Sequence, residues 1–470
     1  MHIEPSFRKR YKKALSDQTM LKAVKLGTGR LRAQRANAIT AVGEDRWAAF
    51  RDRAEAIRLH VVQHLDQYLE KLVDNVIKNG GHVCLARTGE EAVSYITELA
   101  KKKNAKTIVK SKSMVTEEIH LNPALEQQGC KVIESDLGEW IIQLAGETPS
   151  HIIVPAMHKN RFQVADLFNE VSPQKIPAVV KDLCQFAREH LRDKFLNIDI
   201  GITGCNFAIA DSGAVTICTN EGNARLITTL SPTVVTVMGM ERILPSVEEL
   251  AVMLSLLARS ATGQKMTVYN TLFTGVRAPD ALDGPQEFHL VIVDNGRSKQ
   301  LGTKYEKVLN CIRCGSCLNA CPVFRNIGGH AYGWVYPGPI GAVLSPLYQG
   351  MDKYGELAYA TTLCGACTFA CPVKIPLHDM LYALRNDKVE LEHKGELVED
   401  IAYKGWSSVF ATASRYRFSV RMARRFQFPL VKADKIAYGP PPISEWLKYR
   451  DMPALPDKFF HEVWPDIKKD

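Results

Sequence analysis

Seven of the chain's twelve cysteines are confined to the segment from Cys311 to Cys371, and their spacing constrains the fold more than any other feature. The segment CIRCGSCLNACP begins at Cys311, and a related segment, TTLCGACTFACP, begins at Thr361. The first has the spacing C-x2-C-x2-C-x3-C-P, which is the ligand pattern of bacterial ferredoxins. Structural zinc also uses paired C-x2-C units, but it does not explain two C-x3-C-P endings. The repeat therefore predicts a ferredoxin-like domain with iron–sulfur clusters.

The second segment lacks one ligand, because Thr361 stands where the first segment has Cys311. In the ferredoxin pattern, three cysteines hold one cluster and the fourth reaches over to the other. We therefore expect a first [4Fe-4S] cluster on Cys311, Cys314, Cys317 and Cys371, and a second cluster on Cys321, Cys364 and Cys367. A threonine hydroxyl is a poor iron ligand beside thiolates. The second site then holds a three-iron cluster, a four-iron cluster with another ligand, or an open iron. His330, on the loop between the segments, is a candidate for that other ligand.

The region around the cysteines, residues 301–385, is rich in glycine and proline and includes the stretch GGHAYGWVYPGPIGAVLSP. It has too little apolar material for a core of its own, so we expect metal clusters to organise it. Burial sets the potentials of iron–sulfur clusters. We expect the following loop residues to shield the clusters from water: Tyr332, Trp334, Tyr336, Pro337 and Pro339.

Residues 66–300 alternate between strand and helix patterns, which predicts an α/β domain with a largely parallel sheet. The predicted strands are HVCLA, KTIVK, CKVIES, HIIVPA, IDIGITG, TVVTVMG and EFHLVIVD. Thr88 is the expected N-cap of the helix after the first strand. Before this domain, apolar residues at steps of three and four predict one long helix through Trp47 and Leu72, ended by Gly80.

Polar residues at the predicted strand ends are candidates for a ligand pocket, because ligands of α/β sheets bind there. One group is Asn206, Asp211, Asn220, Glu221, Asn223 and Arg225. A second group, Lys110, Lys112, Ser113 and Thr116, opens a helix that would face an anion. No G-x-G-x-x-G motif follows a strand, and turn chemistry alone is the alternative explanation for both groups.

The two ends of the chain differ in charge and pattern. Residues 1–65 are a basic helical arm: the first 60 residues hold fourteen Lys or Arg against six Asp or Glu, whereas the whole chain has a net charge of +9. Such an arm is either solvated or docks on an acidic partner or an anionic membrane surface. Residues 386–470 form a helical and then extended, proline-rich region. No nucleic-acid motif, secretory signal or membrane-spanning run is present, so we expect a cytoplasmic protein. The five remaining cysteines are expected to be small buried residues without disulfides.

Seven motifs together resemble the lactate utilization protein B family: IVKSKSMVTEE, DIGITGCNFAIADSG, TNEGN, GPQEFHLVIVDNGRS, CIRCGSCLNACPV, GGHAYGWVYPGPIGAVLSP and CGACTFACPVKIPLH. This family supplies the iron–sulfur member of a three-protein bacterial system that oxidises L-lactate to pyruvate. The resemblance implies an α/β LUD domain related to the ribose-5-phosphate isomerase and coenzyme A transferase folds, a ferredoxin-like domain and a family-specific carboxyl-terminal region. It implies the same two clusters and ligands, and it makes a three-cysteine second site a family feature.

Electron transfer is the function that we expect. Two clusters would pass electrons singly from the other lactate utilization proteins, A and C, to a further, unidentified acceptor. No flavin or nicotinamide motif is present, so hydride chemistry belongs to another polypeptide. The alternatives are a hydro-lyase that binds a hydroxy acid at an open iron, and a sensor with purely structural clusters. TNEGN also resembles the strand-end glutamate of coenzyme A transferases, which would make Glu221 a nucleophile.

Overall fold

The computed structural model describes residues 6–390, 397–441, 443–448 and 450–468. They fall into two compact units, Met1–Asp387 and Lys388–Asp470. Within these described ranges, no helix combines the length and the apolar character that crossing a membrane requires.

The first unit begins with four helices: α1 (Phe7–Ser16), α2 (Gln18–Val42), α3 (Glu44–Gln63) and α4 (Leu65–Lys78). The single long helix predicted through Trp47 is broken at His64, which leaves helical geometry at φ −123° and ψ 33°. The ring Nδ1 of His64 bonds to the carbonyl oxygen of His60, so a side chain competes with the helical ladder there.

The expectation of a solvated arm is wrong for α2 and α3. Val24, Trp47 and Ile57 are at most 5% exposed and belong to the largest apolar core of the molecule. That core also contains the cysteine segment, so the arm and the cysteine segment stabilise each other.

The strands of the first unit are β1 (His82–Ala86), β2 (Thr107–Lys110), β3 (Lys131–Glu134), β4 (Ile200–Gly204), β5 (Phe207–Ile209), β6 (Ala214–Thr219), β7 (Thr233–Gly239), β8 (Ile243–Leu244), β9 (Tyr269–Phe273) and β10 (Glu287–Val293). Six of them form an all-parallel sheet in the order β1-β10-β7-β4-β2-β3. The other four form a mixed sheet in the order β8-β5-β6-β9. The predicted parallel α/β sheet is confirmed. Its central strand β7 is buried along its whole length, as expected of a strand covered on both faces.

The helices between these strands are α5 (Gly89–Lys102), α6 (Met114–Glu118), α7 (Leu121–Gln127), α8 (Leu137–Leu144), α9 (Arg161–Val171), α10 (Val180–Leu196), α11 (Asn223–Leu230) and α12 (Val247–Ala261). Thr88 caps α5 as predicted, because its side chain accepts the N–H of Glu91. The predicted strand HIIVPA is wrong: these residues form turns. The ring Nδ1 of His151 accepts the N–H groups of Ile153 and Val154, which bends the backbone away from a sheet.

The cysteine segment and its flanks, residues 298–390, are built from short helical elements. Four are 3₁₀ turns: Ser298–Gln300, Glu306–Asn310, His330–Tyr332 and Gly355–Tyr359. The α-helices are α13 (Ser316–Ala320), α14 (Phe324–Ile327), α15 (Gly338–Gln349), α16 (Met351–Tyr354), α17 (Ala366–Ala370) and α18 (Leu377–Glu390). Its apolar side chains share one core with α2, α3 and α12. The segment is therefore packed on other parts of the chain and has no separate core.

The second unit contains α19 (Leu397–Phe410), α20 (Ala413–Phe426), α21 (Ile443–Leu447) and α22 (Phe460–Ile467), a 3₁₀ turn (Phe428–Leu430), and the two-residue strands β11 (Val431–Lys432), β12 (Lys435–Ile436) and β13 (Met452–Pro453). Helices α19 and α20 lie in the first part of the region 386–470, where the sequence predicts helices, and residues 391–396 of that part lie outside the described residues. The predicted extended tail contains short helices and strands among irregular backbone.

Candidate iron–sulfur centre and adjoining cavity

The two cysteine segments fold into matching local structures, and Thr361 occupies the place of Cys311. The backbone N–H of Arg313 donates to the Sγ of Cys311 at 3.4 Å, and the N–H of Leu363 donates to the Oγ1 of Thr361 at 3.0 Å. Arg313 and Leu363 both adopt left-handed backbone, with φ of 57° and 53°, a conformation uncommon outside glycine. Each segment continues into a five-residue helix, and these two helices, α13 and α17, pack against each other. The second loop has therefore kept the shape of a ligand loop without its cysteine.

The four cysteines predicted for the first cluster line one small cavity: Cys311, Cys314, Cys317 and Cys371. Apolar residues form most of its remaining wall, among them Ile152. Burial and then the neighbouring sulfurs of Cys311, Cys314 and Cys371 raise the pKa of the Cys317 thiol. The backbone N–H of Ile375 donates to the Sγ of Cys371 at 3.3 Å. Four soft sulfur donors around a mostly apolar cavity, with backbone N–H groups directed at sulfur, are what an iron–sulfur cluster requires.

The three cysteines predicted for the second cluster also lie together, but nearer to solvent. Burial and then the sulfur of Cys321 raise the pKa of Cys367 to about 11. Burial and, to a smaller extent, the sulfur of Cys364 raise the pKa of Cys321. Cys321 and Cys367 are buried, whereas Cys364 is exposed. Hydrogen bonds from the Thr362 hydroxyl and the Ala366 N–H lower the pKa of Cys364. The second site thus has a solvent-facing side.

The aromatic loop residues that are predicted to shield the clusters are buried. Tyr332 and Tyr336 are fully buried and Trp334 is 8% exposed. Burial and then the sulfurs of Cys321 and Cys317 raise the pKa of Tyr332. The Tyr332 hydroxyl has no hydrogen-bond partner among the described residues, so it is an orphaned O–H donor beside cysteine sulfurs. Such a donor fits a cluster whose sulfurs accept hydrogen bonds.

His330 does not join the cysteines. Its Nε2 bonds to the carbonyl oxygen of Thr148 at 2.7 Å, and its ring lies 4.6 Å from that of His158. With Glu147, the two histidines form a cluster whose ligand atoms lie within 4.8 Å of one another. The Nε2 of His158 and the carboxylate of Glu147 already pair at 2.6 Å. The placement of His330 argues against its role as an iron ligand.

Arginines from outside the segment hold the cysteine loops by their carbonyl groups. Arg51 of α3 donates from Nε and Nη2 to the carbonyl oxygen of Cys371, at 3.1 and 2.9 Å. Arg35 of α2 donates from Nη2 to the carbonyl oxygen of Ala370, the residue before Cys371, at 3.2 Å. Arg242, which follows β7, donates to the carbonyl oxygen of Cys311 at 3.0 Å. These residues were missed from sequence, because a single arginine carries no spacing signal.

A buried ion network joins the cysteine segment to the α/β sheet. Arg297 pairs with Glu118 and with Glu241 at 2.8 Å each, and the three side chains are at most 2% exposed. Tyr336 donates its hydroxyl to Glu118 at 2.7 Å, and Arg313 lies 3.5 Å from Glu241. Although burial alone would raise the pKa of Glu241, the guanidinium groups of Arg297, Arg313 and a neighbouring arginine outweigh it and lower that pKa to about 2.

A second cavity, of about 290 Å³, lies between the parallel sheet and the first cysteine loop. Six of the predicted pocket residues line it: Lys112, Ser113, Asn206, Asn220, Glu221 and Asn223. Arg242, Arg313 and Tyr336 complete its wall on the side of the cysteines. Burial and the nearby carboxylate of Asp136 raise the pKa of Glu221 to about 7. The strand ends therefore do form a pocket, and the cysteine loop closes it.

The other four predicted pocket residues do not line this cavity: Lys110, Thr116, Asp211 and Arg225. Lys110 is buried and pairs with Glu117 and Glu134 at 2.7 and 2.8 Å. Asp211 pairs with a lysine on α4, and Arg225 lines an open groove elsewhere. Their roles are structural or at the surface, as the turn-chemistry alternative allowed.

The five cysteines outside the repeat, all within the described ranges, form no disulfide, as expected. Cys130 is buried, and Cys84, Cys205 and Cys218 are half-buried. Cys184 is exposed on α10, so the expectation of a buried residue is wrong there.

Three family models match successive parts of the chain. Residues 69–293 match the LUD domain family, residues 307–375 a 4Fe-4S dicluster domain, and residues 385–469 the family "Lactate utilisation protein B, C-terminal". A protein of Bacillus licheniformis named lactate utilization protein B is 50% identical over 465 residues, covering 99% of this chain and 97% of that protein. The chain belongs to the lactate utilization protein B family.

Other members of this family are similarly close. The protein of that name from Bacillus subtilis is 49% identical over 98% of this chain and 96% of its own, and that from Lysinibacillus sphaericus is 50% identical over 97% and 96%. Among solved structures, a DUF162 family protein from Deinococcus radiodurans matches 49% of this chain and 98% of its own, at 12% identity. Its TM-score of 0.29 is too low to support an argument. The predicted family and the iron–sulfur domain are thus confirmed.

Proposed function

We propose that this chain is an electron-transfer protein of L-lactate oxidation and that it carries two [4Fe-4S] clusters. The first would be held by Cys311, Cys314, Cys317 and Cys371, and the second by Cys321, Cys364 and Cys367. The observation that carries the proposal is the folded repeat: two ferredoxin-like loops with their sulfurs grouped at adjacent sites. The lactate assignment is supported by relatives whose name is lactate utilization protein B.

The clusters, when bound, would supply one-electron transfer. The chain's own groups would hold and tune them. Backbone N–H groups donate to the sulfurs of Cys311, Cys321 and Cys371. Tyr332 and the apolar walls exclude water, and Arg51 and Arg242 place positive charge beside loops that would carry thiolates. Lower exposure and more hydrogen bonds to sulfur are the protein's means of setting a cluster's potential.

We further propose the domain limits and setting expected from sequence. The limits are an arm at 1–65, a LUD domain at 66–300 related to the ribose-5-phosphate isomerase fold, a ferredoxin-like domain at 301–385 and a carboxyl-terminal region at 386–470. The partners would be the lactate utilization proteins A and C and a further electron acceptor, in the cytoplasm or at a membrane surface. The family matches at 69–293, 307–375 and 385–469 support these limits.

The test is anaerobic purification, an iron and sulfide count, and reduction by L-lactate in the presence of proteins A and C. We expect about eight irons per chain and bleaching of the visible absorption on adding lactate. Cys371→Ser should remove the first cluster, whereas Cys184→Ser, at an exposed cysteine outside the repeat, should leave the iron count unchanged. Bound zinc, or clusters that stay oxidised with lactate and both partners, would refute the proposal. A cluster spectrum perturbed by hydroxy acids without reduction would favour the hydro-lyase instead.

A further inference from the structure

The cavity beside the first cysteine loop contains two buried cationic groups with donors that lack a hydrogen-bond partner among the described residues. The Nζ of Lys112 and the Nη1 of Arg313 are both buried, and neither has a hydrogen-bond partner among the described residues. Arg313 is only 8% exposed, and both residues line the cavity. A buried charged donor without a partner is costly. We infer that this cavity binds a small monocarboxylate, whose oxygens bond to the Lys112 ammonium and the Arg313 guanidinium.

No carboxylate among the described residues accepts a hydrogen bond from the Nζ of Lys112 or the Nη1 of Arg313. The nearest acidic oxygen to the Nζ of Lys112 is Oε1 of Glu139, at 3.8 Å, which is too long for a hydrogen bond. Burial raises the pKa of Glu139 to about 8, which favours its neutral form at neutral pH. Arg313 shares Glu241 with Arg297, and its contact to Glu241 is the longer one, at 3.5 Å against 2.8 Å. Each cation is left with an unused donor.

The wall selects among anions by charge and polarity. The carboxylate of Asp136 also lines the cavity, so a doubly charged anion such as phosphate would meet more repulsion there than a monoanion. The remaining wall includes the aliphatic side chains of Val237, Leu257 and Ala261, which suit a short carbon chain. The volume of about 290 Å³ is near the lower end of ligand sites. A small aliphatic acid with one carboxylate meets all three conditions.

The cavity is coupled to the first cysteine loop through its own wall. The backbone N–H of Arg313 donates to the Sγ of Cys311, and the guanidinium of Arg242 donates to the carbonyl of Cys311. A carboxylate on Arg313 adds negative charge next to that loop. If the first cluster is held there as proposed, the bound acid should lower its reduction potential, and by linkage the oxidised form should bind the acid more tightly. This second step rests on the proposed function, whereas the carboxylate site does not.

Calorimetric titration of the anaerobically purified full chain tests the site. The probes are pyruvate and L-lactate, with neutral lactamide and inorganic phosphate as controls. We expect both monocarboxylates to bind, and lactamide and phosphate to bind at least about tenfold more weakly. Lys112→Met should weaken monocarboxylate binding by about tenfold or more, Lys112→Arg should restore part of it, and Lys102→Met, at an exposed lysine of α5, should change nothing.

A melting assay on the unaltered chain guards against a misfolded variant: pyruvate should raise the melting temperature and lactamide should not. The site is refuted if neither monocarboxylate binds nor raises that temperature, if phosphate binds more tightly, or if Lys112→Met binds like the unaltered protein. A redox titration separates the two proposals. Binding without a change of potential removes only the coupling, and binding to a chain that carries zinc removes the proposed function but keeps the site.

Discussion

Replacing Arg297 by methionine should be among the most damaging single changes in the first unit. Arg297 is fully buried and holds Glu118 and Glu241 at 2.8 Å each, so its loss leaves two buried carboxylates without their main counter-charge. Removing one partner of a buried ion pair typically costs about 3–5 kcal/mol. With two carboxylates affected, we expect Arg297→Met to lower the free energy of unfolding by about 5 kcal/mol. Urea unfolding of the anaerobically purified chain, followed by tryptophan fluorescence at matched iron content, measures this loss.

Two further variants show whether unpaired charge causes the loss. In the triple variant Arg297→Met, Glu118→Gln, Glu241→Gln no carboxylate of the network is left unpaired, although Arg313 loses its longer contact to Glu241, so part of the lost stability should return. Lys103→Met removes a partly exposed ion pair with Glu287 and should have a far smaller effect. The reasoning fails if Arg297→Met is no more destabilising than Lys103→Met, or if the triple variant is as unstable as the single one.

Three other changes probe the cysteine loops and the network. Thr361→Cys places a thiolate at the position equivalent to Cys311, so iron release from the second site to a chelator should slow several-fold; an unchanged rate would contradict the equivalence. Tyr332→Phe removes an O–H donor beside the cysteine sulfurs, and the potential of the second cluster should become more negative in a redox titration; a potential that does not move would show that the hydroxyl is not used. The pKa of Glu241 is lowered from 4.5 to about 2 on folding, so its stabilising contribution is present above pH 4.5 and is lost as the pH falls towards 2. Glu241→Gln should therefore flatten the plot of unfolding free energy against pH across this range. A plot parallel to that of the unaltered protein would argue against the shift.

The sheet could be predicted from sequence because its strands are continuous apolar runs between turn residues. TVVTVMG became β7, fully buried in the middle of the sheet. HIIVPA has the same apolar character, but the ring of His151 accepts two backbone N–H groups and is itself held by Asn319 at 3.2 Å. That interaction depends on a residue far away in sequence, so periodicity could not reveal it.

Part of the candidate pocket could be predicted from sequence, because ligands of α/β sheets bind at strand ends. Asn206 and Lys112 follow β4 and β2, whose carboxyl ends meet at one edge of the parallel sheet, and both line the cavity as expected. Glu221 also lines the cavity, although it follows β6 of the mixed sheet. Asp211 follows β5 of the mixed sheet, but its turn faces α4, where it pairs with a lysine, and it does not line the cavity. Sequence alone does not show which sheet a strand joins. Nor does it show that Arg313, within the cysteine loop, reaches across to close the pocket.

In the basic arm, some of the positive side chains contact other parts of the chain and not an external partner. Its excess of Lys and Arg suggested an external anionic partner, but Arg51 and Arg35 donate to carbonyls at the end of the second cysteine segment. A cluster with thiolate ligands is an anionic group, and burying it costs free energy unless positive charge or hydrogen-bond donors lie close by. If the clusters are held as proposed, part of the arm's charge would stabilise them from within the molecule. An arm that packs on the cysteine loops and supplies their counter-charge belongs to the same structural unit as the loops, and deleting it should release iron as well as weaken the fold.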